Sequence, residues 1–369
     1  MDTPFFRILQ TKIEKLGGFH NAHLHLCRAG TLSETEKILS RSIEGTLSHL
    51  SLSVKHGIIP LIHESAEYNP QRLKERARIF LDQMVTTGTT RADTLVDVTL
   101  DRVGTTAFDV FRELKGEYKE RLDLQIGSYS PLGFKDTEME RWALIEDTAQ
   151  TADFIGCLPE RDDQRLYPEH IGFEECCARA IALAHSLNKR IHIHVDQKND
   201  PREKDTQRII SVIDRLKIQT KQDEPLIWLV HVISPSAVEE DEFKGLIQVL
   251  VDKNIGVLCC PSAALSMRQL RSLKSPTHNS IARVLELLEA GISVRLGSDN
   301  INDITSPAGT PNLMDEIFVL CNAIRFYDVD ILAKIAAGKP LDGKDRKTIR
   351  DHLDKDRIEV QKSIEFYRS

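Results

Sequence analysis

Histidine accounts for 13 of the 369 residues, and four of these histidines stand where metal or proton chemistry could be carried out. His23 and His25 lie two apart in NAHLHL. On an extended segment, side chains two apart leave the same face, so this pair can grip one ion. The spacing alone is weak, because such pairs are more often solvated or hydrogen-bonded than ligating. Position strengthens it: His194 ends RIHIH, His231 ends IWLVH and Asp299 ends VRLGSD, each a short apolar run. Three imidazole nitrogens and one carboxylate oxygen suit Zn²⁺ or Fe²⁺ and leave a position for water, whose pKa the ion lowers toward neutrality. The remaining imidazole can then move protons. These donors accept zinc and iron alike, so one divalent ion is expected without a choice between them.

Such groups need a scaffold that delivers them from distant parts of the chain to one place. Eight β-rich apolar runs alternate with amphipathic segments: the stretch before His23, then TLVDV near 96, LDLQIGSY near 125, ADFIGCL near 155, RIHIHV near 193, PLIWLVHV near 229, NIGVLCC near 257 and ISVRLGS near 294. The alternation implies βα units and a parallel sheet, and eight is the number at which such a sheet closes. The expected fold is therefore α/β, a (β/α)8 TIM barrel. Its catalytic groups come from the C-terminal ends of several strands, here one, five, six and eight. Helical patterns span Ser33 to His56, opening with the capping-box spacing Ser33 to Glu36, and Gln71 to Thr86, then 174–188, 202–217, 235–253 and 280–290. Residues 312–337 and 346–365 are expected as extra C-terminal helices covering the barrel. The whole chain, 1–369, reads as one domain with a core of about 19–325 and a helical extension over 326–369.

Composition narrows the partners. The 49 basic and 56 acidic residues give a formal charge of −7, which repels a phosphate backbone and offers no basic face to nucleic acid or anionic lipid. A small-molecule substrate fits better. No apolar run approaches a membrane span and the first residues lack the pattern of a secretory signal, so a cytoplasmic protein is expected. The seven cysteines show no C-x-x-C spacing and read as free, mostly buried thiols. No coiled-coil heptad is evident, and a homo-oligomer would use the outer helices.

In their order, these residues resemble the amidohydrolase superfamily, with H-x-H after the first strand, a histidine after the fifth and sixth, and an aspartate after the eighth. The likeness is to the cytosine deaminase branch. It runs from His23-Leu24-His25 through His194-Val195-Asp196-Gln197 to Gly297-Ser298-Asp299-Asn300-Ile301-Asn302-Asp303 and the following SPAGTPNLM, with RADTLVDV and LDLQIGSY between, over roughly residues 19–325. The resemblance implies the barrel and one metal held by His23, His25, His194 and Asp299. It also implies that His231 and Asp299 handle the proton of an attacking water, in hydrolysis of a carbon–nitrogen bond of a small heterocyclic amine or amide.

The departures fall on the part of the site that selects and protonates substrate. Where the branch has a proton-shuttling glutamate this chain has Gln197, and an amide cannot shuttle that proton. The branch's substrate-holding glutamine after strand three is replaced by the stretch Tyr129-Ser130-Pro131-Leu132-Gly133, and the aspartate after the strand-eight ligand is Asn300. The β-sandwich that both chain ends build in many relatives is not expected. Gln197, Asn300, Asp303 and Glu160 are the residues expected to meet substrate, Asp303 with an ordinary turn role equally open and Glu160 in an ion pair or near a second metal. No lysine ends the fourth strand, so a carbamylated-lysine bridge is not expected. His192 is expected to pack in the core, as is His20. Against the hydrolase stand two alternatives: a barrel of the same family that binds metal or ligand without turnover, which Gln197 favours, and a barrel with structural histidines acting on a phosphate ester. No Gly-rich phosphate loop near strands seven and eight supports the latter.

Overall fold

The computed structural model describes residues 3–40, 51–218, 220, 223–267 and 281–368. Eight strands appear where the apolar runs place them: β1 (Phe19–Leu24), β2 (Thr89–Asp97), β3 (Asp123–Tyr129), β4 (Phe154–Cys157), β5 (Ile191–Val195), β6 (Ile227–His231), β7 (Gly256–Cys259) and β8 (Val294–Leu296). All pair parallel, in chain order. The ring closes through a parallel bridge from Leu24 to Asp299, helped by reciprocal bonds in which Asn21 Nδ2 donates to Ser298 Oγ (2.9 Å) and Ser298 N donates to Asn21 Oδ1 (3.0 Å). This is the expected (β/α)8 barrel with added C-terminal helices.

Strands buried on both faces need apolar residues at nearly every position, which is why these runs are continuous rather than alternating. One face packs under the helices. The other fills the barrel with small clusters, Ala22, Trp228, Val230 and Leu258 in one, and Leu95, Tyr129, Phe154 and Leu158 in another. The pairing of β1 with β2 shifts register between Asn21 and Leu24. Such an irregularity re-aims side chains. It lets the adjacent residues Ala22 and His23 both meet groups from across the barrel, Trp228 and His192 respectively.

The helices are α1 (Pro4–Lys15), α2 (Leu32–Ser40), α3 (Leu52–His63), α4 (Pro70–Thr86), α5 (Thr106–Tyr118), α6 (Glu140–Thr151), α7 (Phe173–Ser186), α8 (Asp205–Leu216), α9 (Glu240–Asp252), α10 (Pro261–Leu265), α11 (Val284–Glu289), α12 (Leu313–Ala323), α13 (Val329–Ala336) and α14 (Gly343–Arg368). Three expectations need correction. The Ser33 to His56 pattern contains α2 and the start of α3, with 41–50 outside the described residues, and Ser33 sits inside the first turn of α2 rather than capping it. The 235–253 pattern is helical in α9 only from Glu240, because Ser234–Ala237 forms a tight 3-10 turn around Pro235. The 312–337 pattern is two helices, α12 and α13, since the Asp328 carboxylate accepts from Ile331 N and starts a new helix.

Of the C-terminal helices, α13 packs on α1 and β8, and α14 on α11. All seven cysteines are free and buried. No described helix is long and apolar enough to cross a membrane.

Candidate active site

The chain turns sharply where the strands end. Asp196 (φ 50°), His231 (φ 80°), Val232 (φ 51°) and Asp299 (φ 59°) all adopt left-handed backbone that non-glycine residues avoid, Val232 despite its branched Cβ. Each such residue costs on the order of 1–3 kcal/mol, and this strain gathers at the ends of β5, β6 and β8. The turns bring His23, His25, His194 and Asp299 together, all buried. His194 Nε2 lies 3.2 Å from His23 Nε2 and 3.3 Å from His25 Nε2, and Asp299 Oδ1 lies 3.4 Å from His25 Nε2 and 3.7 Å from His23 Nε2.

These spacings decide what the cluster can hold. Zinc binds imidazole nitrogen and carboxylate oxygen at about 2.0–2.2 Å, so tetrahedral donors around it stand roughly 3.3–3.6 Å apart. The observed separations fit that figure. Burial lowers His194 to about 4 and His231 to about 3, and takes His23 and His25 well below the ordinary histidine value, so all four rings are neutral with lone pairs free. Three neutral imidazoles and a carboxylate converging on one point suit a cation. His194 Nδ1 faces the Cys157 carbonyl at 3.1 Å, which fixes its tautomer and turns Nε2 to the cluster. The cluster can therefore hold a metal ion.

His231 stands beside the four, with Nε2 3.9 Å from Asp299 Oδ2. Burial, and then the neighbouring Asp303, push Asp299 up to about 7. Glu160 does not line the cavity over the cluster. It is buried and accepts from Gln197 Nε2 at 2.9 Å, its other oxygen 3.1 Å from Lys198 Nζ. Asn300 lines the cavity and donates to Asp303 Oδ2 at 2.6 Å, while Asp303 Oδ1 accepts from Thr305 N and Ser306 N, holding the loop after β8. Asp196, between His194 of the cluster and Gln197, accepts from the Asp205 and Thr206 amides that begin α8. His192 packs on Phe154 and lies 3.5 Å from His23 as a core residue, and His20 pairs with Asp93 at 3.1 Å.

The cavity over the cluster has a volume of about 20 Å³, room for one water, and its walls include Arg28, Tyr129 and His56 besides the residues named above. Sequence reasoning singled out none of these three as a site residue. Their signals were slight: Arg28 three residues past His25, and Tyr129 at the end of β3. Two larger clefts, of about 350 and 440 Å³, lie elsewhere, one at the N-terminal ends of β6 and β8. The donor set, rather than volume, locates the chemistry.

No family model matches the chain. An uncharacterised protein of Haemophilus influenzae is 25% identical over 287 residues, 77% of this chain and 95% of that protein. Among solved structures, 5-methylcytosine deaminase from Klebsiella pneumoniae liganded with 5-fluorocytosine superposes with a TM-score of 0.71 at 19% identity, over 91% of this chain and 82% of its own. N-isopropylammelide isopropylaminohydrolase from Burkholderia multivorans gives 0.63 at 16% identity, over 89% and 74%. Guanine deaminase from C. acetobutylicum with bound guanine gives 0.58 at 13% identity, over 90% and 73%. The chain thus shares its barrel fold with these deaminases and this aminohydrolase. At these identities the fold is what is shared.

Proposed function

We propose that this chain is a metal-dependent hydrolase of the amidohydrolase superfamily that cleaves a carbon–nitrogen bond in a small, nitrogen-containing heterocycle or cyclic amide. The convergence of His23, His25, His194 and Asp299 at tetrahedral spacing carries this reading. The likeness to deaminases acting on 5-methylcytosine and guanine supports it.

A divalent ion in this shell, zinc or iron, would supply the Lewis acidity that makes water a nucleophile near neutral pH. The rest falls to the chain. The Asp299 carboxylate, beside the position of the attacking water, can accept its proton and release it again. Neutral His231 can donate a hydrogen bond to the oxyanion that forms at the attacked carbon. The proton must then reach the leaving nitrogen. Gln197 cannot carry it, so Asp299 does, and ammonia, an amine or the opened amide results. Leu52 and Met267, both half-buried in the cavity wall, are the side chains a substrate would displace on entering.

Elemental analysis of the purified protein beside a His23→Ala, His25→Ala double variant tests the reading. Near-stoichiometric zinc or iron in the native protein, lost in the variant, is the expected result. A folded native protein that stays empty and refuses added metal sinks it. Gln197 favours a second reading, a barrel that binds metal and ligand without turnover. Stoichiometric metal with no ammonia or carboxylate released across a panel of amino-heterocycles and cyclic amides would point there.

A further inference from the structure

Arg28 is a buried cation whose guanidinium donates no hydrogen bond to any of the described residues. It lines the cavity beside His25 and is only 6% exposed. Among the described residues its side chain makes no hydrogen bond, and its Nε is enclosed without a partner. Its ion-pair partner among the described residues is Asp97, whose Oδ1 is 3.9 Å from Nη1, beyond hydrogen-bond reach. Asp97 Oδ1, which faces Arg28, has no hydrogen-bond partner among the described residues, and only the other oxygen is engaged. Its Oδ2 meets His63 Nε2 at 3.2 Å and the Tyr68 hydroxyl at 2.8 Å, while His63 Nδ1 meets Asp101 at 2.6 Å. That network and the Tyr129 ring, 5.9 Å from the guanidinium carbon, balance Arg28's charge without taking up its N–H groups.

The backbone beneath Arg28 is fixed. Arg28 N donates to His25 O (3.1 Å), Gly30 N to Ile301 O (3.0 Å) and Leu32 N to Asn302 O (3.1 Å), and Arg76 binds the carbonyls of Cys27 and Ala29. This buried guanidinium on its rigid loop has its charge compensated by Asp97, but a charge partner at that distance does not satisfy its N–H groups. Its planar fork is matched by a carboxylate, which accepts two parallel N–H bonds.

We infer that Arg28 receives a carboxylate of the substrate, so the substrate class is an anionic, carboxylate-bearing nitrogen compound rather than a neutral base. This rests on the reading that the cavity over the four donors is the substrate site. The carboxylate lies on Arg28 while the bond to be broken faces Asp299 and His231.

The test compares two probes of one shape, pyrazinecarboxylate and pyrazinecarboxamide, titrated calorimetrically into the metal-loaded protein, Arg28→Met, and the double variant Arg28→Met/Asp97→Asn. The double variant removes both buried charges and guards against misfolding from an uncompensated Asp97. We expect the carboxylate to bind at least about tenfold more tightly than the carboxamide in the native protein. That preference should vanish in whichever Arg28 variant folds, with metal content unchanged. Equal affinities, failure of both probes to bind at millimolar concentration, or a preference that survives loss of Arg28 each overturn the inference. An Arg28-dependent preference in a protein that takes up no metal would keep it while removing the hydrolase reading.

Discussion

At the residue scale the informative contact is Gln197 on Glu160, which replaces a lone acid with an amide–carboxylate pair. Gln197→Glu places two carboxylates at that spacing, and like charges so close cannot both ionise. We expect Gln197→Glu to lose roughly 1–2 kcal/mol of stability above pH 7. Gln197→Glu/Glu160→Gln, which restores one donor and one acceptor, should recover most of it. Thermal unfolding of the four proteins of this cycle measures the coupling, and equal losses in the single and double variants would contradict it. The clustered donors were legible in the sequence because His25, His194 and Asp299 each follow an apolar run whose end is a fixed place in a barrel. The Gln197–Glu160 pair was not, because its members are 37 residues apart and meet only when β4 and β5 align. Arg28 was hidden differently: an arginine in a loop after a strand reads as solvated, and nothing local shows that it is buried beside the cluster.

At the scale of elements, the site depends on how closely β8 approaches β1. A Cβ at Gly297 would stand 2.7 Å from both the Cβ and the carbonyl oxygen of His23. Only glycine permits this approach. Gly297→Ala should therefore cost at least about 2 kcal/mol, as overpacking does. It should also lower metal content by parting His23 from Asp299, read by thermal unfolding together with elemental analysis. Unchanged stability and loading would show that the two strands can separate freely. The eight strands were legible as short, largely apolar runs alternating with amphipathic segments, even though β1 carries His20, Asn21 and His23 and β2 carries Arg91, Asp93 and Asp97. Helix limits were less so. Periodicity runs unbroken through 312–337, and only the Asp328 side chain turning back to Ile331 N divides it.

For the whole molecule, buried acids set the dependence on pH. Glu316 of α12 is 2% exposed and accepts from Ser262 N at 2.9 Å, at the start of α10. Burial raises it from an ordinary 4.5 to about 7. The folded protein therefore holds a proton that the unfolded chain has lost between those values, and this group's contribution to stability falls as pH rises through that window. Glu316→Gln keeps an acceptor without the charge. It should stabilise the protein on the order of 3 kcal/mol at pH 8 and little at pH 4, followed as melting temperature against pH. A pH-independent difference would place the ionisation elsewhere. The closure of β1 on Asp299 has a further consequence, for synthesis. A chain growing from its first residue makes His23 and His25 early but completes the donor set only near residue 299. No ion can be held by all four groups until most of the protein has left the ribosome, so early strands must wait, unpaired at one edge, for the last.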